Sequence, residues 1–391
     1  ALRGRAMVAR LTGDDALSLA LRREAFESAQ DRLGPDAETT LVAKADLASE
    51  TLDREQREAL QREVLNDMRT RYGPAAARAL PAEENLASFL AELGRTREAS
   101  EIRERTLPRL RAARGDLHHT TLRSIESLGL MKHFAADFAG AEPLIREAYD
   151  GRVAAYGPDA IETLGTASNL AMVLGHLRKD DEAIELYERI VPAMRAALGV
   201  EHEDTLGAWT NLAQCYNRVE RFADAAAALE ESLAVKRRVL GLEHTFTQVA
   251  MEELAAAYRG VGRGKDAYAL EAEYLECIVE IARRPDATAR VLGNAAERVL
   301  TTGYRSLRNV PGGLELAERA VRLEEAEGGA LLYLHLSRVG LAHWYAGDMD
   351  RAIPAQRRAL ETAPAHERAR LEQLLGTYVD RQAAAAEADT Q

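Results

Sequence analysis

Apolar residues along most of this chain recur every three to four positions, the spacing that gathers them on one face of a helix. The amphipathic stretches come in pairs, and the pairs repeat. Glycines at 73, 115, 157, 199 and 241 stand on a 42-residue lattice, with Gly34 one shorter step of 39 residues before Gly73. Six residues after the glycine come Thr40, Thr121, Thr163, Thr205 and Thr247, with Ala79 as the exception. Threonine is a helix N-cap former, so each is expected to open the first helix of a unit, helix A. A pair of leucine and a small residue follows inside it: Leu47-Ala48, Leu86-Ala87, Leu128-Gly129, Leu170-Ala171, Leu212-Ala213 and Leu254-Ala255. Twelve residues further on, in helix B, stand Ala99, Ala141, Ala183, Ala225 and Ala267. Small residues at fixed places on two successive helices let the helices approach closely. The expected architecture is all-α, a solenoid of stacked antiparallel helix hairpins.

The lattice divides the chain into five parts. Residues 1–33 read as a truncated N-terminal repeat that begins inside a hairpin, with Gly13-Asp14-Asp15 as its A–B turn. Residues 34–282 are the array with the 42-residue period. The period is lost over 283–330, an irregular helical repeat in which Pro311-Gly312-Gly313 reads as a turn before a helix over 314–326. Gly328-Gly329 ends that helix. Residues 331–366 form the last repeat, and 367–391 a capping helix with a tail expected to be disordered from Gln382.

Composition sharpens this picture in two ways. Hydrophobic residues make up 47% but aromatics only 5%, so the apolar content is mostly Ala and Leu, which favours helix over strand. The net charge of −12 opposes a phosphate backbone, and nucleic acid is not an expected partner. No apolar run reaches the ~18 residues of a membrane helix, so this segment is not expected to insert in a bilayer. Cys215 and Cys277 make no disulfide framework, which fits a reducing, cytoplasmic location.

The unit at 199–240 carries Trp209, Leu212, Ala213, Tyr216, Ala225 and Leu229, which resembles the tetratricopeptide repeat (TPR) signature. Gly340, Gly347, Ala352, Ala359 and Pro364 are similar to the 34-residue form of the repeat. The longer period, with Gly199, His202, Thr205 and Leu206 in the connecting loop, resembles the repeats of kinesin light chains and their bacterial relatives. Residues 300–364 resemble the TPR tails of bacterial serine/threonine protein kinases. The resemblance implies a right-handed TPR superhelix that binds a peptide or helix of a partner protein in a concave groove lined by helix A, without a cofactor. It also implies an alternative, a regulatory or docking region of a larger bacterial signalling enzyme such as a serine/threonine kinase. The catalytic domain of that enzyme would lie outside this sequence.

Polar residues on helix A are the candidate contacts. Asn85, Asn169 and Asn211 each precede the Leu-Ala pair. A carboxamide donates and accepts, so a row of them can bond an extended peptide backbone; the same residues can instead brace the next hairpin. Acidic residues stand at or beside this place elsewhere, at Asp46, Glu126 and Glu253, and would favour a basic partner. Gln214, Asn217, Arg218, His133, His176 and Arg259 add side-chain recognition on the same helices. Arg123 and Lys132 are the close basic pair on one helix A, and they do not amount to a carboxylate clamp.

Catalytic chemistry finds no foothold. His118, His202 and His244 lie near the lattice but a whole repeat apart, too far to share one ion, so no metal site is expected and they read as turn residues. Phosphate-binding, dinucleotide and nucleophile-elbow motifs are absent. Asp137-Phe138-Ala139-Gly140 lacks the other parts of a kinase, and no carboxylate pair is placed in a cleft. The chain is expected to be a binding protein rather than an enzyme.

Overall fold

The computed structural model describes residues 2–388 apart from 13, 36, 51–52 and 74–75, and the described residues form helices and turns without a strand. Gly13 of the expected first turn lies outside them. Two compact units divide the chain at Gly199. The first holds the hairpins α1 (Leu2–Leu11) with α2 (Asp15–Leu33), α3 (Glu38–Glu50) with α4 (Arg54–Tyr72) and α5 (Leu80–Glu92) with α6 (Thr96–Arg114). It ends with α7 (His119–Phe134) paired to α8 (Phe138–Tyr156) and α9 (Ile161–His176) paired to α10 (Asp180–Ala197). The second holds α11 (Glu203–Arg218) with α12 (Phe222–Val239), α13 (Thr245–Gly260) with α14 (Gly264–Arg283) and α15 (Ala289–Thr301) with α16 (Val310–Glu327). There α17 (Leu332–Ala346) pairs with α18 (Met349–Thr362), and α19 (Ala365–Ala388) covers the last hairpin. The fold is an α-solenoid of helix hairpins.

Two kinds of turn make the repeat. Helix B ends on a lattice glycine with positive φ, +85° at Gly34, +89° at Gly73 and +87° at Gly115 and Gly157, and ψ is 153–164° at these four. That combination is open essentially to glycine alone, which is why this position shows so clearly in the sequence. Helix A ends instead in a Schellman turn. Its longer bond runs from Asp137 N–H to Lys132 O, Lys179 to Leu174, Arg221 to Tyr216 and Arg263 to Tyr258, all at 2.8–2.9 Å. The left-handed residue of this turn is Gly94 or Gly262 in two hairpins, but Ala136, Arg178 and Glu220, at φ 60–62°, in the three between. A second 42-residue lattice therefore exists, masked because non-glycine residues tolerate the αL conformation at a cost of about 1 kcal/mol.

The expected threonine caps are corrected by the structure. His118, His202 and His244 hold the N-cap, each ring nitrogen accepting from the backbone N–H two residues on at 3.2–3.3 Å. The imidazole Nδ1 stands here where a hydroxyl oxygen stands at an ordinary cap. Thr121, Thr163, Thr205 and Thr247 lie inside the first helical turn, fully buried. In the first complete hairpin the Thr40 hydroxyl donates to Gly34 O at 2.8 Å, tying helix A back to the preceding glycine. Pro311-Gly312-Gly313 is likewise not a turn before a helix but the first turn of α16, capped by Asn309 with proline at its start. The tail from Gln382 continues α19 as far as Ala388, and 389–391 lie outside the described residues.

The core is built from the small lattice positions. Ala99, Ala141, Ala183, Ala225 and Ala267 are all fully buried, and their partners Leu86, Leu128, Leu170, Leu212 and Leu254 are nearly so. Where the small residue of helix A is Gly129, an added Cβ would meet the Ile145 side chain at 2.5 Å, so α7 and α8 pack at backbone contact. Surface ion pairs join successive B helices at a fixed offset, Arg111 to Glu147 at 2.6 Å and Arg237 to Glu273 at 2.7 Å. Such exposed pairs contribute little each.

Several core positions depart from this apolar rule, among them Glu83, Glu84, Arg103, His335 and Lys236. Lys236 is fully buried on α12, where the preceding repeat has the buried Met194. Its ammonium donates to the Thr210 hydroxyl, and burial pushes its pKa down to about 8. Two repeats before, the corresponding cation, Arg152, faces Glu126 at 2.8 Å; Thr210 now stands where that carboxylate stood. Replacing Lys236 with Met is predicted to raise stability at neutral pH by on the order of 3 kcal/mol. The Thr210 hydroxyl keeps its bond to Leu206 O, so no buried group is orphaned. In the native chain this residue makes stability rise between pH 8 and 10.5, where the unfolded state holds a proton that the folded state has lost. Urea melts across that range read both effects, and a Lys236→Met chain that keeps the pH-dependent rise refutes the assignment. Ala136→Gly should stabilise the α7–α8 turn by about 1 kcal/mol, whereas Gly157→Ala should cost more than that; equal and opposite small shifts contradict the two-turn account.

Candidate functional site

Helix A carries the candidate residues, and its polar face is mostly engaged in holding neighbouring hairpins together. In the first unit, Asn169 on α9 is half-buried and donates to Glu126 Oε1 on α7 at 3.1 Å. The other Glu126 oxygen pairs with Arg152 of α8. Arg152 also donates to Glu162 O at 2.7 Å and to the Thr166 hydroxyl, so three helices are tied through one carboxylate. Ser127, not Glu126, is the lattice counterpart of Asn169; Glu126 sits one place before it. Asn85 on α5 is exposed, and its amide is unbonded among the described residues. His176 stacks flat on Phe138, centroids 4.6 Å apart, with the His133 ring at 5.0 Å. Burial and the neighbouring His176 both lower the pKa of His133. Phe134, beside this cluster, is 78% exposed.

In the second unit, Asn211 and Gln214 lie half-buried on α11. The Asn217 amide donates to both the backbone O and the carboxylate of Glu253 on α13, at 2.9 and 2.8 Å. Arg218 turns back on its own helix to Cys215 Sγ at 2.9 Å. Arg259 reaches across to Glu271 of α14 at 2.8 Å. Gln214 is unbonded among the described residues.

Arg259 also marks a place that pattern reading missed. Helix A packs along helix A between α11 and α13 and between α15 and α17, but α13 and α15 have no comparable contact. The lattice is also interrupted here: the next glycine would fall at 283, where the sequence has arginine, and α14 leaves through Arg284, extended at φ −61° and ψ 147°, into Pro285. Two neighbouring cavities open between α13, α14 and α15, of about 640 and 310 Å³. Val249, Ile278, Ile281 and Val291 line the larger, and Met251, Ala255 and Leu275 the smaller.

Three residues are common to both cavities: Glu252, Tyr274 and Arg298. Arg298 grips Glu252 with both terminal nitrogens, at 2.9 and 3.1 Å. Burial pushes the Glu252 carboxyl above its ordinary value; Arg298 opposes this, while Glu253 and Glu271 add to it. The Tyr274 hydroxyl beside it is held well above the usual phenol range, first by burial and then by the Glu252 charge. Glu243, Glu271 and Glu297 around the same walls are paired with Arg284, Arg259 and Arg338. The described residues hold no group of His, Cys, Asp and Glu able to bind a metal, and no described helix is long and apolar enough to cross a membrane.

Comparison with known proteins agrees with this architecture. The tetratricopeptide repeat family matches residues 162–238, and a second tetratricopeptide repeat model matches 336–366. No curated protein matches. Among solved structures, the apo form of the quorum sensor NprR from B. thuringiensis is 11% identical, over 92% of this chain and 97% of that one, with a TM-score of 0.61. Aspartyl phosphate phosphatase F from Bacillus subtilis is 12% identical over 92% of each chain, with a TM-score of 0.53. A kinesin light chain from Podosopora anserina with nearly identical TPR-like repeats is 22% identical, over 52% of this chain and 97% of that one, with a TM-score of 0.47. At these identities the likeness is one of fold alone. The chain is thus an α-helical solenoid of helix hairpins, with tetratricopeptide repeats matched at residues 162–238 and 336–366.

Proposed function

We propose that this chain is a protein-interaction scaffold that holds a peptide or helix of a partner protein against its helix A faces. The observation that carries the reading is the division of labour on those faces. Asn169 and Asn217 are spent on neighbouring hairpins, whereas Asn85 and Gln214 keep free carboxamides directed away from the stack's own hydrogen bonds. A carboxamide that both donates and accepts matches the backbone of a bound segment without dictating its sequence. His176 in the first unit and Asn211, Arg218 and Arg259 in the second stand on helix A as well and are further proposed contacts of their own units. A stack of hairpins is suited to presenting a surface.

The two classes of asparagine separate experimentally. A partner captured by the full chain from native extract should bind the Asn85→Ala, Gln214→Ala double variant about tenfold more weakly, with the melting temperature unchanged. Unchanged affinity in that variant would sink the groove reading. Asn169→Ala should instead lower stability by about 1 kcal/mol, because Glu126 loses a donor in a half-buried site.

A further inference from the structure

The cleft between α13 and α15 is where the regular array opens, and its chemistry specifies more than a generic groove. Its larger part, about 640 Å³, falls within the ~300–1,000 Å³ typical of ligand sites, room for a few side chains rather than a whole helix. Val249, Ile278, Ile281 and Val291 give its lining an aliphatic part, beside Thr245, Gln248 and Arg290. At the centre lies one carboxylate, Glu252, whose side chain is 26% exposed. Its countercharge, Arg298, comes from the facing helix and is 53% exposed. The other carboxylates of the walls are paired with arginines that lie outside the cleft or across one edge of it. Glu252 is thus the acid whose partner spans the opening itself.

An exposed guanidinium gives up little on returning to water, whereas a half-buried carboxylate left alone loses much. The pair is therefore asymmetric. Arg298 is easily displaced, but Glu252 requires some cation in its place. We propose that the α13–α15 cleft binds a short extended segment of a partner protein carrying one Lys or Arg between aliphatic residues. The incoming cation takes the place of Arg298 on Glu252, beside the Tyr274 hydroxyl. The flanking aliphatic side chains settle on Val249, Ile278 and Val291, and the released Arg298 is free to meet a backbone carbonyl of the segment. The chain's net charge of −12 draws in a basic segment from a distance. Arg298 acts meanwhile as an internal stand-in for that cation on Glu252.

This inference rests on the scaffold reading and is tested separately from it. The probe is a randomised hexapeptide display library selected on the full chain, on Glu252→Gln and on Arg298→Ala, with helicity checked for each by circular dichroism. The wild-type chain should enrich Lys or Arg at one position flanked by aliphatic residues. Arg298→Ala should retain the same motif with about tenfold tighter binding of the selected peptides. Glu252→Gln, which keeps the shape and removes the charge, should lose the basic preference. Enrichment that is indifferent to both substitutions, or that favours acidic residues, overturns the cleft proposal while leaving a scaffold that binds elsewhere. Selection of no peptide by any of the three chains overturns the cleft proposal, while the scaffold reading stands or falls on the Asn85→Ala, Gln214→Ala variant.

Discussion

The regular part of the structure depends on one backbone conformation, the positive-φ glycine turn after helix B. At Gly34, Gly73, Gly115 and Gly157 the chain adopts angles that a side chain would not tolerate, and this aims the next helix A back along the stack. Everything regular follows from that return. The buried alanines come opposite the Leu-Ala pairs, the histidine caps fall three residues after the glycine, and B-helix ion pairs recur at one offset. Where arginine stands at 283 and the exit passes through Pro285, two cavities lie between α13, α14 and α15.

Legibility in the sequence tracked how exclusive each physical requirement is. The B–A turn accepts only glycine, so its lattice was plain. The A–B turn accepts other residues at modest cost, and with Ala136, Arg178 and Glu220 in the left-handed position its equal periodicity was invisible. Caps were misplaced because a hydroxyl and an imidazole compete for the same role. Thr121 and its equivalents looked like caps by residue type, while His118 and its equivalents hold that position by geometry. Pro311-Gly312-Gly313 reads as a turn by residue type, although proline suits the first turn of a helix as well as it suits a loop.

The candidate site was legible only as a face. Sequence position placed Asn85, Asn169 and Asn211 together on helix A, but the bonds they make depend on the neighbouring repeat, which periodicity averages away. Asn169 meets Glu126 and Asn217 meets Glu253, while Asn85 meets neither kind of partner. The cleft was hidden for the opposite reason. Glu252, Tyr274 and Arg298 lie far apart in sequence and have no motif in common; the one available signal was the missing glycine itself. Lys236 was equally silent, since a lysine in a charged helix reads as solvated until its burial is known.

The account therefore turns on whether the interruption of the glycine lattice is where a partner is received. Hydrogen exchange of the full chain, measured alone and with its captured partner, tests this most directly. Slowed exchange at residues 243–260 and 289–301 on binding is the predicted result, since these segments form the two sides of the opening. Protection confined to the B helices, or exchange in α13 and α15 that the partner leaves unchanged, would contradict it.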